Sequence, residues 1–368
     1  MSTPGRANIL IVTAQVPFTK GGVELQVELL RRELELRDYT ADVVSLPFGA
    51  IPKETLLNQV AIWRALDLTA FAGRKVDLVI ATKFPSYMVK HPCKVLWLVH
   101  QHRQLYDLYG TRFTDFHSNM ADEALRQLIV RADEIALREC KRIYTISPNV
   151  TERLRAFLGI ESTPLAPPLP LGTAYRVGDP QDYILSVGRL CSSKRVDLII
   201  KAMAQIAPEL KLKIAGVADE PGIESYLESE IDKHHLWERV EFLGRVNDQT
   251  LLSLYARAFA VYYAPFDEDY GFVTLEALAS GRPLVTAHDS GGVLEFIRDE
   301  ENGLIVEAHE QAIANAMNRL FTDRSLYERL ARGAKESQVH PSWDEVIGEL
   351  TNVLDPVGEG MLDRVVAN

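Results

Sequence analysis

Residues 262–296 read YYAPFDEDYGFVTLEALASGRPLVTAHDSGGVLEF. A strand-like apolar run ends at Pro265, and an acidic loop, Asp267-Glu268-Asp269, leads to Gly271. A short helix then carries Glu276 and stops at Gly281; a second strand, Pro283 to Thr286, runs into the turn Gly291-Gly292. Strand, loop, helix, strand is the repeating unit of a parallel α/β sheet. The unpaired first-turn amides of a helix carry partial positive charge and attract anions. Glu268 and Glu276 stand eight residues apart, one in the extended loop and aimed outward, one within the helix's first two turns. Such a pair could hold polyols on either side of a bound diphosphate. The plainer alternative is an acidic surface loop followed by a helix glutamate.

Working outward, the chain has 368 residues, which at about 150 per domain gives two to three domains. Its 47% hydrophobic and 25% charged residues are ordinary for a globular protein able to bury sizeable cores. The net charge of -11 argues against nucleic acid as the main partner, since phosphate backbones need a basic face. Cys93, Cys140 and Cys191 are odd in number and far apart, which fits a reducing compartment and neither a disulfide framework nor a zinc site. The start, MSTPGRANILIVTA, has no signal-peptide pattern, and no run of about 18 apolar residues is long enough to span a membrane. The expectation is a cytoplasmic protein, with room for peripheral contact at the inner face of the membrane.

The α/β rhythm begins at the N-terminus. Asn8 to Thr13 is a buried-type strand; a loop ending in Lys20-Gly21-Gly22 follows, then an amphipathic helix from about Val23 to Leu36. The dinucleotide-binding glycine fingerprint is absent. Strands are expected over Ala41 to Leu46, Val76 to Ala81, Lys94 to Val99 and Arg142 to Ser147, with a helical stretch from about Lys53 to Ala72. His100 lies at the C-terminal end of the third of these strands, where open parallel sheets bind ligands. A metal shared by His100 and the nearby His102 is not expected. Leu105 to Ser118 is aromatic and polar, readable as an acceptor loop or as packing. Helices are expected from about Met120 to Glu139 and from Asn149 to Leu158, the second capped by Ser147.

The proline-rich run Ser162 to Pro170 marks a boundary, so residues 1–168 and 169–340 are expected as two domains, with 341–368 as a final helix and tail. The second half repeats the pattern. Strands are read at Tyr183 to Val187, Leu212 to Ala215, Val240 to Leu243 and Val261 to Ala264, with helices over Val196 to Ala207, Gly222 to His234 and Asp248 to Ala258. Helices over Ala308 to Asp323, Arg324 to Gln338 and Trp343 to Leu354 close the chain, and Gly358 to Asn368 is expected to be less ordered.

Arg189 and Lys194 follow the first strand of this half. An arginine fork and a compact ammonium can neutralise the charge that builds on a leaving diphosphate; on their own they would also suit a solvated basic loop. Asp267 and Asp269 also form an Asp-x-Asp pattern for a divalent metal, but with Arg189 and Lys194 present such an ion would be redundant.

Together these residues resemble the retaining glycosyltransferases of family 4. The run Glu268-Asp269-Tyr270-Gly271-Phe272-Val273-Thr274-Leu275-Glu276 is similar to that family's paired-glutamate motif. Gly188-Arg189 with Lys194, the loop Gly21-Gly22-Val23-Glu24, Gly291-Gly292 with Glu295, and Gly303 match as well, so the resemblance runs from about residue 8 to 335. It implies an α/β GT-B fold, two Rossmann-like domains whose parallel sheets face a cleft. It implies a hexose-type sugar moved from a UDP- or GDP-sugar to a glycan, a lipid-linked molecule or a small molecule, by front-face displacement with retained anomeric configuration. No cofactor and no metal is implied. Arg189 and Lys194 would hold the diphosphate, helped by amides near Gly271, Phe272 and Val273 and by Gly22. Glu268 and His100 would line the donor sugar, and Glu276 would bind the ribose. Gly216 and Arg245, past the next two strands, join the donor-binding set, and the helix from Trp343 would cross back to the N-terminal domain. Many members have glycine after the first glutamate; Asp269-Tyr270 here adds bulk beside the sugar. The rival readings are a nucleotide-sugar epimerase of the same architecture, a two-lobed binding protein and a catalytically silent subunit.

Overall fold

The computed structural model of the chain describes residues 7–18, 21–49, 52–117, 119–337 and 341–354. It divides into two compact units, one made of residues up to 170 together with those from 341, the other of 171–340. Lys20, Ser118, Gln338 and the segment Gly358 to Asn368 lie outside the described residues.

In the first unit β1 (Asn8–Gln15), α1 (Gly22–Glu35), β2 (Thr40–Pro47) and α2 (Thr55–Ala65) precede a short hairpin, β3 (Ala70–Phe71) with β4 (Arg74–Lys75). There follow β5 (Leu78–Ala81), β6 (Lys94–Leu98), α3 (Met120–Arg138), β7 (Arg142–Thr145), α4 (Pro148–Leu158) and β8 (Thr163–Pro164). Six strands make one parallel sheet in the order β2-β1-β5-β6-β7-β8. Its centre is apolar on both faces, with Ile11, Val79, Ile80, Val95 and Leu96 fully buried, as expected of strands covered on both sides by helices. α1 turns Val27, Leu30 and Leu34 inward on a helical period, and Ser147 accepts from the Val150 amide at 3.1 Å to cap α4.

The second unit holds β9 (Tyr183–Val187), α5 (Val196–Ala202), β10 (Lys211–Ala215), α6 (Ile223–Lys233), β11 (Val240–Gly244), α7 (Asp248–Arg257) and β12 (Ala260–Tyr262). It continues with α8 (Phe272–Ala279), β13 (Leu284–Ala287), β14 (Gly303–Val306), α9 (Glu310–Thr322) and α10 (Arg324–Glu336). Its six parallel strands run β11-β10-β9-β12-β13-β14, the doubly wound order of dinucleotide-binding sheets. α11 (Trp343–Thr351) belongs to the first unit. There Trp343 meets the Trp97 ring edge-on at 6.3 Å, Tyr144 donates to Glu349 at 2.8 Å, and Asp344 pairs with Arg37.

Three local expectations are corrected. The helical stretch read to Ala72 ends at Ala65, and the next residues form the β3-β4 hairpin around Ala72-Gly73, both at positive φ. The helix read to Ala207 stops at Ala202, because the Arg239 guanidinium gathers the carbonyls of Met203, Ile206, Ala207 and Leu210 just beyond it. In the proline-rich connector, Thr163 and Pro164 extend the first sheet, and Leu165 O accepts from Trp97 Nε1 at 2.8 Å.

Candidate functional site

In a doubly wound sheet, ligands bind beyond the carboxyl ends of the strands, at the point where strand order reverses. In the second unit that point lies between β9 and β12. The loop after β9 carries Arg189 and Lys194; the loop after β12 carries Glu268 and leads into α8.

Glu268 is not aimed outward as expected. Its Oε2 pairs with Lys194 Nζ and accepts a 3.0 Å bond from the Tyr263 hydroxyl. Lys194 Nζ in turn donates to that hydroxyl at 3.1 Å, closing a three-membered set. Lys194 and Glu268 are each 16% exposed, so this ion pair is screened far less than a surface pair. Burial and the Glu268 charge push the Tyr263 phenol well above its ordinary range, so it stays protonated and donates. The inward turn comes from backbone bonding. Asp267 takes a left-handed φ of 44°, its amide donates to Asp289 O at 2.8 Å, and Gly292 N donates to Glu268 O at 2.8 Å. Gly292 has no room for a side chain: a Cβ there would lie 2.6 Å from Asp269 O.

Gly271 caps α8 in the left-handed region, and Phe272 and Val273 are that helix's first two residues. Glu276 sits deeper. Tyr175 donates to one of its oxygens at 3.1 Å and Tyr255 to the other at 2.6 Å. Burial raises its carboxyl above the usual range, and the two phenols pull back against that rise. Two accepted bonds leave a carboxylate, with about four lone-pair sites, capacity for further hydroxyls.

Arg189 is half exposed and pairs with Asp219, from the loop after β10. Burial lowers the guanidinium's affinity for its proton, but Asp219, Cys191 and Glu268 outweigh that and hold it charged. Gly188, Gly216 and Gly244 stand at the ends of the adjacent strands β9, β10 and β11, where Gly188 N donates to Ala215 O at 3.0 Å and Gly216 N to Gly244 O at 2.9 Å. A Cβ on residue 216 would fall 1.7 Å from Gly188 O, so backbone packing alone demands glycine there. Arg245 is exposed just past β11.

Gly22 and His100 belong to the first unit. Gly22 opens α1; the preceding Gly21 amide donates to Glu24 at 2.8 Å, and Glu24 pairs with Lys83 at 3.0 Å. His100, half-buried after β6, has Nδ1 2.7 Å from Gln101 O. His102 is enclosed by Phe48, Phe84 and Phe116, and burial drives its pKa down to about 4. The stretch from Leu105 is largely core: Leu105, Tyr106, Leu108 and Phe116 are buried, and Tyr106 donates to Asp133 at 2.5 Å.

Sequence reading missed Tyr263, Tyr175, Tyr255 and Asp219. Tyr263 was within sight, since alternation along β12 sends Tyr262 into the core and leaves its neighbour facing the loop end. Among the described residues no three His, Cys, Asp or Glu side chains are grouped to hold a metal ion, and no helix is long and apolar enough to cross a membrane.

Residues 174–337 match the family of glycosyl transferases group 1. An uncharacterized glycosyltransferase of Methanocaldococcus jannaschii is 35% identical over 48% of this chain, which spans 45% of that relative. A D-inositol 3-phosphate glycosyltransferase of Salinispora arenicola is 26% identical over 86% of this chain and 77% of its own length. Among solved structures, sucrose-phosphate synthase from Thermosynechococcus elongatus superposes with a TM-score of 0.76 at 19% identity, covering 95% of this chain and 99% of that one. Anabaena HepE in complex with UDP-glucose gives 0.72 at 18% identity, covering 95% and 99%. The fold is therefore α/β with parallel sheets, the GT-B architecture of these glycosyltransferase structures.

Proposed function

We propose that this protein is a retaining glycosyltransferase that moves a hexose-type sugar from a nucleoside-diphosphate sugar, UDP- or GDP-linked, to a glycan, lipid-linked or small-molecule acceptor. The observation that carries the reading is the convergence of Arg189, Lys194 and Glu268 on the switch point of the second sheet, beside the start of α8. Two cations and a helix start suit a diphosphate; a carboxylate next to them suits sugar hydroxyls. The match of residues 174–337 to group 1 glycosyl transferases supports it.

In this reading both cations are already neutralised by internal carboxylates, Arg189 by Asp219 and Lys194 by Glu268. An incoming diphosphate takes over these partners. Asp219 gives way easily, because a half-exposed ion pair is worth only about 0–1 kcal/mol. Glu268 then keeps Tyr263 and turns to the donor hydroxyls, while Glu276 receives the ribose. The bond from the anomeric carbon to the β-phosphate oxygen breaks as the acceptor oxygen bonds to the same face of that carbon. The acceptor proton passes to the departing phosphate, whose growing charge Arg189 and Lys194 stabilise. The residues present supply this charge compensation themselves, and we assign no metal to the reaction.

The test is a thermal-shift panel of UDP, GDP, ADP, TDP and their sugars, since a ligand that binds only the folded state raises the melting temperature. At least one nucleoside diphosphate should stabilise the protein, and Arg189→Ala should abolish the shift. No shift with any of them removes the proposal. Conversion of a nucleotide sugar with no acceptor present would favour an epimerase instead.

A further inference from the structure

Arg195 follows Lys194 directly and is odd in two respects. It has a left-handed φ of 53° although it is not glycine, and its side chain is only 5% exposed although it carries a charge. Both are costly, and glycine would adopt the same backbone with neither cost. What offsets these costs is what the side chain holds. The guanidinium forks onto Asp289, with Nη1 to Oδ1 at 2.7 Å and Nη2 to Oδ2 at 2.6 Å, and it lies 5.1 Å from the centre of the Phe266 ring. Its backbone carbonyl accepts from the Tyr262 hydroxyl at 2.9 Å. Around it, Phe266 N donates to Ser193 O at 2.8 Å, Asp267 N to Asp289 O at 2.8 Å and Glu268 N to Ser290 O at 3.2 Å. One side chain thus ties together the loops after β9, β12 and β13, neighbours in the sheet.

We infer that Arg195 is a positioning residue of the donor site, a clamp whose fork to Asp289 and stacking on Phe266 fix the turn bearing Lys194 against the loop bearing Glu268. Its side chain is taken up by Asp289 and Phe266, so it acts through Lys194. The inference rests on the nucleotide-sugar reading of the site. A lysine at 195 would keep the charge but lose the fork, and a neutral residue at 289 would undo the clamp from its exposed end, since Asp289 is 45% exposed.

The test titrates UDP and GDP calorimetrically into the wild type and into R195G, R195K, D289N, K194A and K194A/R195G, with melting temperatures recorded alongside. R195G should melt within a few degrees of wild type, because relief of the left-handed backbone offsets the lost pair, yet bind the preferred nucleotide at least fivefold more weakly. R195K should recover part of the affinity. In the K194A background R195G should change affinity less than twofold. If R195G does not fold, D289N carries the same expectation from the exposed end. Wild-type affinity in R195G or D289N, or a full additive loss in K194A/R195G, overturns the clamp while leaving the donor site intact. If neither nucleotide binds the wild type, or K194A binds as the wild type does, the reading of the site falls and the clamp with it.

Discussion

The Tyr255 hydroxyl donates a 2.6 Å hydrogen bond to Oε2 of Glu276, and Tyr175 occupies the other oxygen at 3.1 Å. A buried carboxylate is thus held in place before any ligand arrives. Tyr255→Phe should cost about 1–2 kcal/mol of stability, the usual effect of depriving a buried acceptor of its partner. Glu276→Ala should weaken nucleoside diphosphate binding roughly tenfold, a loss of about 1.4 kcal/mol. Chemical denaturation and calorimetry read the two effects; an unchanged affinity in Glu276→Ala removes the ribose assignment.

Arg189→Ala and Lys194→Ala should each lower transfer about 10²–10³-fold, the scale of one donor lost from a charge-stabilising site. Arg189 is half exposed, so its loss should move stability by less than about 1 kcal/mol. Equal activity in the purified variants would end the diphosphate role.

Transfer should survive EDTA. Complete loss that magnesium or manganese restores would show that the positive charge of Arg189 and Lys194 is insufficient.

Two buried groups of the first unit should give opposite pH slopes. His102, pushed down to about 4 from 6.5, stays neutral when folded but is protonated in the unfolded chain below pH 6.5, so its contribution is present above 6.5 and lost as pH falls toward 4. Asp133, raised by burial to about 7 from 3.8 against the pull of Tyr106 and Tyr87, keeps its proton when folded. Its contribution is full at low pH and is lost as pH rises from about 4 to 7. Each slope is at most about 1.4 kcal/mol per pH unit, so between pH 4 and 6.5 they offset. Relative to wild type, His102→Phe should lose stability as pH rises through that range, and Asp133→Asn should gain it. Parallel curves for all three proteins would contradict both assignments.

What the sequence made legible was whatever repeats locally. Apolar runs alternating with helical periods marked both sheets, and Gly188, Gly216 and Gly244 marked the carboxyl ends of three strands of the second. Partnerships across long stretches of chain left no such mark. Tyr175 lies 101 residues from Glu276, and Arg195 lies 94 from Asp289. No local pattern encodes such a distance; strand order brings the residues together, and strand order follows from packing. The outward Glu268 failed for the same reason, since its direction is set by the turn at Asp289 to Gly292. The overlong helix at Val196 ended early because of a guanidinium from another strand's approach.

α11 completes a body begun some three hundred residues earlier: Asp344 answers Arg37, and Trp343 closes on Trp97. The first unit is therefore discontinuous, with the whole second unit threaded between its two parts. On the ribosome its sheet must wait, with the ground that α11 will cover left bare, while the intervening unit is made and can fold on contacts of its own. The second unit can be finished before the first is covered, and the earliest-made half of the protein is the last to be sealed.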